Sequence, residues 1–75
     1  MPQHTFTAIL EREEDAYVSL CPELDIASQG GTVEEALANL KEAVDLFLEC
    51  ADPAEVQSRL KEPALVTHFQ TTLHA

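Results

Sequence analysis

The stretch DIASQGGTVEEALANL, residues 25–40, decides how this chain folds. Its two adjacent glycines, Gly30 and Gly31, are the only glycines in the sequence, and a helix signal follows at once. Thr32 and Glu35 have capping-box spacing, in which the Thr32 hydroxyl accepts from the Glu35 amide and the Glu35 carboxylate reaches back to the Thr32 N–H. From there Val33, Ala36, Leu37, Leu40, Val44, Phe47, Leu48 and Ala51 recur every three or four residues, an apolar stripe about five turns long. Such a stripe has to cover a sheet. A glycine pair ahead of a helix can cradle an anion or simply turn the chain. The spacing here is neither G-x-G-x-x-G nor a P-loop, and Glu34 and Glu35 already occupy the positive end of the helix dipole. A tight strand-to-helix turn with positive φ therefore accounts for the pair.

Upstream of the glycines, residues 5–11 alternate, with Phe6, Ala8 and Leu10 on one face, which predicts a first strand. Glu13, Glu14 and Asp15 form a charged turn, residues 16–21 a second strand, and residues 26–29 a short third strand after Pro22 breaks the ladder. Downstream, Asp52 caps a second, short helix over residues 54–61 with Pro53 at its first position. Pro63 closes it. Then "ALVTHFQTTL" alternates again, with Leu65, Thr67, Phe69, Thr71 and Leu73 on one face, and predicts a fourth strand. The expected architecture is one α+β domain over residues 1–75, β-β-β-α-(α)-β. A three-stranded antiparallel meander plus a C-terminal strand makes one layer, and the long helix packs on one sheet face. A last strand parallel to the first would make the helices a right-handed crossover.

Composition narrows the function. Fourteen acidic residues oppose four basic ones, a formal net charge of −10 in 75 residues. Such a surface repels nucleic acid and anionic membrane and attracts cationic proteins. The opening residues carry neither a basic n-region nor a long apolar run, and no apolar run approaches a membrane span. A cytoplasmic location is expected. The chain is also short: a domain of this size buries about 60% of its unfolded surface, and its core alone supplies about 3–5 kcal/mol. With only Cys21 and Cys50 available and no framework spacing, a homo-oligomer, dimer or tetramer, is the expected further stabiliser, through a sheet face bearing Ile9, Tyr17 and Val66.

No reactive centre can be assembled from these residues, so no enzyme, metal or cofactor is expected. A two-metal hydrolase needs carboxylates converging from the middle of adjacent strands; the fourth strand has none and the first offers Glu11 only near its end. His4, His68, His74, Cys21 and Cys50 share no metal-ligand spacing. Ser19, Ser28 and Ser58 lack a nucleophile-elbow context. What remains is an acidic helix face, Glu34, Glu35, Glu42, Asp45 and Glu49 against the single base Lys41. Its like-charged neighbours at i, i+3 and i, i+4 each cost about 0.2–0.5 kcal/mol in isolation. A Lys- or Arg-rich partner docked there would relieve them and arrive faster.

Residues 16–49, AYVSLCPELDIASQGGTVEEALANLKEAVDLFLE, resemble the HicB antitoxin family. The matching elements are Tyr17 in the second strand, Pro22-Glu23-Leu24, Ser28-Gln29-Gly30-Gly31-Thr32, Glu34-Glu35-Ala36-Leu37-Ala38-Asn39, and the acidic Leu-rich helix that follows. The resemblance implies a partial ribonuclease H-like fold without catalysis, which binds and blocks a small basic mRNA-cleaving toxin of the HicA type. Longer members add a DNA-binding module, and residues 50–75 resemble none, so the small stand-alone type is expected, without direct nucleic-acid contact. One departure is "CPELDIAS", which lacks the Pro-Gly-Cys insertion of many relatives and predicts a shorter or differently bent third strand. The alternative class is a non-catalytic homo-oligomeric assembly protein with no toxin.

Overall fold

The computed structural model of the chain describes residues 4–61 and 65–74. Three strands come first, β1 (Ile9–Glu13), β2 (Ala16–Cys21) and β3 (Ile26–Gly30), followed by the helices α1 (Val33–Cys50) and α2 (Pro53–Leu60). The strands form an antiparallel sheet in the order β1-β2-β3, and α1 covers one of its faces. This is the expected α+β meander with a long helix. β1 starts later and ends later than the alternation of residues 5–11 predicts, because its partners run only from Leu20, opposite Ile9, to Ala16, opposite Glu13. A two-residue turn, Glu14-Asp15, joins them, with Glu14 in the left-handed region at φ 55°.

Register decides which side chains meet the helix, since directly opposed residues share a face. Ser19 pairs with Leu10 and with Ser28, and its hydroxyl donates to the Ala36 carbonyl of α1 at 2.9 Å. The helix face therefore carries Leu10, Tyr17, Ser19, Cys21, Ile26, Ser28 and Gly30. Ile9, Val18, Leu20 and Ala27 lie on the other face. This corrects the expected oligomer face. Tyr17 stands on the helix side and Ile9 on the opposite side, while Val66 lies outside the sheet, so the three do not form one surface. The pleat dictates this, because Ser19 points inward and Tyr17 must do likewise.

Cys21, Leu24, Leu40 and Val44 are the buried core, with Phe6, Ala8, Ile26, Phe47 and Leu48 packed against them. Burying such a side chain contributes about 1.5–3 kcal/mol. Ala36 is also buried, whereas Val33 and Leu37 at the start of the stripe remain exposed. Thr32 caps α1 as expected, accepting the Glu35 N–H at 3.0 Å. Asp52 caps α2 through the Ala54 N–H at 2.8 Å. Nothing on α2 is fully buried; Arg59 fastens it, donating to the Leu24 carbonyl at 2.6 Å and lying 5.3 Å over the Phe47 ring.

Two expectations are corrected. Neither glycine has a positive φ, so the pair is not a left-handed turn. Gly30 is instead a close-approach residue: a Cβ there would stand 2.5 Å from the Ala36 nitrogen and 2.8 Å from the Glu35 carbonyl carbon. Gly31 would meet only the Glu35 carboxylate, at 3.8 Å. Second, residues 65–74 form no strand and are exposed throughout. Alternation gave them the pattern of a strand, but no edge of this sheet lies alongside to complete the ladder.

Gly30→Ala is expected to lower stability by about 1–3 kcal/mol, the usual range for overpacking, while Gly31→Ala leaves it within about 1 kcal/mol of the parent. Urea unfolding of the two variants checks the difference; equal effects would refute the close-approach reading.

Candidate functional site

The outward surface of α1 holds the acids singled out above. Glu35, Glu42 and Glu49 recur every seven residues, which aligns them on one stripe at intervals of about 10 Å. All five named acids, Glu34, Glu35, Glu42, Asp45 and Glu49, are exposed, but the structure brings only three of them together. Glu42, Asp45 and Glu49 line a shallow depression with Ala38, Lys41 and Leu46. Glu34 faces a separate hollow beside Arg12, Asp15 and Tyr17, and Glu35 sits in the capped first turn.

Folding physics explains the two ends of this stripe differently. Glu34 and Glu35 lie in the first turn of α1, where the helix dipole stabilises a carboxylate by about 0.3–1 kcal/mol. Glu49 lies in the last turn, which contains no base, and there the same dipole opposes it. Asp45 is engaged: Lys41 donates to it at 2.7 Å, and that hydrogen bond raises the lysine's proton affinity. The pair is solvated, so it adds little to stability. Glu42 and Glu49 have no basic partner among the described residues.

Sequence reasoning missed Leu46. It is 60% exposed and lines the same depression as the three acids and Lys41, so a large apolar side chain stands beside the anionic group. The signal was present, because Leu46 is a leucine that does not belong to the stripe running from Val33 to Ala51.

Other chemistry-bearing residues have structural partners. The Glu23 carboxylate accepts the Thr7 hydroxyl at 2.6 Å and the Thr7 N–H at 3.0 Å, with the Cys21 thiol 3.5 Å away. Burial pushes the Glu23 carboxyl up, but the bonds from Thr7 and Cys21 outweigh it and hold the group below the ordinary glutamate value of 4.5. Burial likewise pushes the Cys21 thiol up, so it stays protonated rather than becoming a nucleophilic thiolate. Both cysteines are free. Among the described residues no three of His, Cys, Asp and Glu converge as metal ligands. Asn39 donates to the Gln29 carbonyl of β3 at 2.8 Å.

Comparison with known proteins gives relatives of similar size. The chain is 42% identical over 65 residues to a UPF0150 protein of Synechocystis sp., ssr1765, covering 84% of this chain and 81% of the relative. A UPF0150 protein of Helicobacter pylori is 35% identical over 64 residues, with 84% and 89% covered. The chain belongs to the UPF0150 family. No family model and no solved structure matches it. In this UPF0150 chain Glu23, Gly30, Thr32 and Asn39 each have a role in holding strand, turn and helix together, whereas Glu42 and Glu49 beside Leu46 have no such partner among the described residues.

The Glu23 clasp fixes a pH dependence. A folded-state value below the ordinary one means its contribution is complete above about pH 4.5 and disappears as pH falls through the folded value. Glu23→Gln should cost about 1–3 kcal/mol at neutral pH and flatten the acid limb of the stability curve. Unfolding midpoints between pH 7 and about 3 check this; a parallel curve would place the acid sensitivity elsewhere.

Proposed function

We propose that this chain is an antitoxin-like binding protein that neutralises a small basic HicA-type mRNA-cleaving toxin by covering it. The resemblance of residues 16–49 to HicB antitoxins supports the reading, and the carrying observation is exposed Leu46 lining one shallow depression with Glu42, Asp45 and Glu49. A large apolar side chain left exposed beside a group of charges suits a protein interface. The placement of these charges also disregards folding: Glu49 opposes the helix dipole and sits one turn from Asp45. A Lys- or Arg-rich surface would stabilise both carboxylates, bury Leu46, and be steered in by the net charge of −10. No helix among the described residues is long and apolar enough to cross a membrane; we place the protein in the cytoplasm, where an mRNA-cleaving target acts.

The second reading is an assembly protein built from copies of itself, for which the exposed segment 65–74 speaks. It does not compete for the same surface.

Co-expression with a HicA-type toxin should restore mRNA integrity. Glu42→Lys, Asp45→Lys and Glu49→Lys together should weaken the pair at least about tenfold in low salt, and the deficit should shrink as salt screens both forms. Leu46→Asp should weaken it at every ionic strength. Unchanged binding after both changes would remove this face from the interface.

A further inference from the structure

We infer that residues 65–74 are a strand for a second copy of this chain, adding to the outer edge of its β1 while the second copy's segment adds to the first. The inference does not depend on what the acidic face binds.

The segment has the composition of a strand without one to lie against. Val66, Thr67, Phe69, Thr71 and Thr72 are β-formers. Leu65, Phe69 and Leu73 lie on one face of the alternation and are 89%, 88% and 93% exposed. None of the fourteen acids and four bases of the chain falls in it. Its projection shows in the dimensions: the radius of gyration is 14.8 Å, against about 11 Å for a compact chain of this length.

The sheet has two edges, and β1 is the freer. On the β3 edge Asn39 of α1 already takes the Gln29 carbonyl. The other edge is β1, whose outer backbone groups have no partner among the described residues, and an unpaired edge is a template for strand addition. Each copy therefore has one free strand and one free edge, and reciprocal exchange between two copies satisfies both by a two-fold axis. Only three residues of sequence separate Lys61 from Leu65, and a short connection favours exchange over folding back.

Charge selects the occupant. Two copies at −10 each repel almost everywhere, and Glu11 and Glu13 on β1 would reject another acidic strand. Segment 65–74 carries no acid, so it is a strand that a second copy admits. A cationic partner would gain nothing from it.

The test uses the full chain and a double variant, Thr67→Pro with Thr72→Pro. The two positions differ in parity, so whichever side faces β1 loses an N–H. Both side chains are exposed in the lone chain, so its folding is unaffected. Sedimentation should show twice the 8.3 kDa of one chain for the parent and a dissociation constant raised about 100-fold for the variant. Amides of Ile9–Glu13 should be protected from hydrogen exchange in the parent dimer and lose that protection in the variant. A parent that stays monomeric at all concentrations overturns the inference. So does a dimer indifferent to the prolines, or one whose loss leaves β1 protection unchanged. Binding of a basic toxin by the proline variant separates this outcome from the fate of the acidic face.

Discussion

Everything in this fold depends on how closely α1 approaches the sheet. The Ser19 hydroxyl reaches the Ala36 carbonyl at 2.9 Å, with Ser19 and Ala36 fully buried, and Gly30 leaves no atom where a Cβ would strike the first turn. Three small residues set the spacing, and the larger ones are seated by it. Only at that distance do Leu40 and Val44 fall into register with Cys21 and Leu24. A polar group so buried is stabilising only when bonded, so the serine fixes the helix's position along the sheet as well as its distance.

The same packing divides the molecule into two kinds of residue. Glu23 ties the segment before β1 to the β2–β3 turn, Thr32 starts the helix and Asn39 binds β3. These residues carry the resemblance to antitoxins, and their work is internal. Recognition by a partner would fall to residues that the scaffold leaves unused, Glu42, Leu46 and Glu49. Scaffold residues can thus be shared widely while the outward ones vary with the partner.

Much of the fold was legible because local rules and packing agree. Ala16–Cys21 and its turn, the Thr32 cap, the α1 stripe and the Asp52-Pro53 start of α2 all rest on interactions within a few residues of sequence, and the structure contains them. What failed needed distance information. The role of Gly30 depends on a contact with residues five and six positions on, not on its own φ. The face of Tyr17 depends on the register that Ser19 imposes. The strand pattern of residues 65–74 is real in the sequence, yet a strand exists only beside another strand. For the candidate site the charges were readable, but their sorting was not: the dipole separates Glu34 and Glu35 from Glu49, Lys41 claims Asp45, and Leu46 was marked in the sequence only by lying off the α1 stripe.

Arg59 is one of only four basic residues, and α2 hangs from it by the Leu24 carbonyl, the Phe47 ring and Glu55 at 3.1 Å. With no buried side chain of its own, α2 has a far lower opening free energy than α1. It is the hinge pin of the molecule. Of the two helices a protease would reach it first, and any event that draws this guanidinium away would free α2 while the sheet and α1 stayed intact.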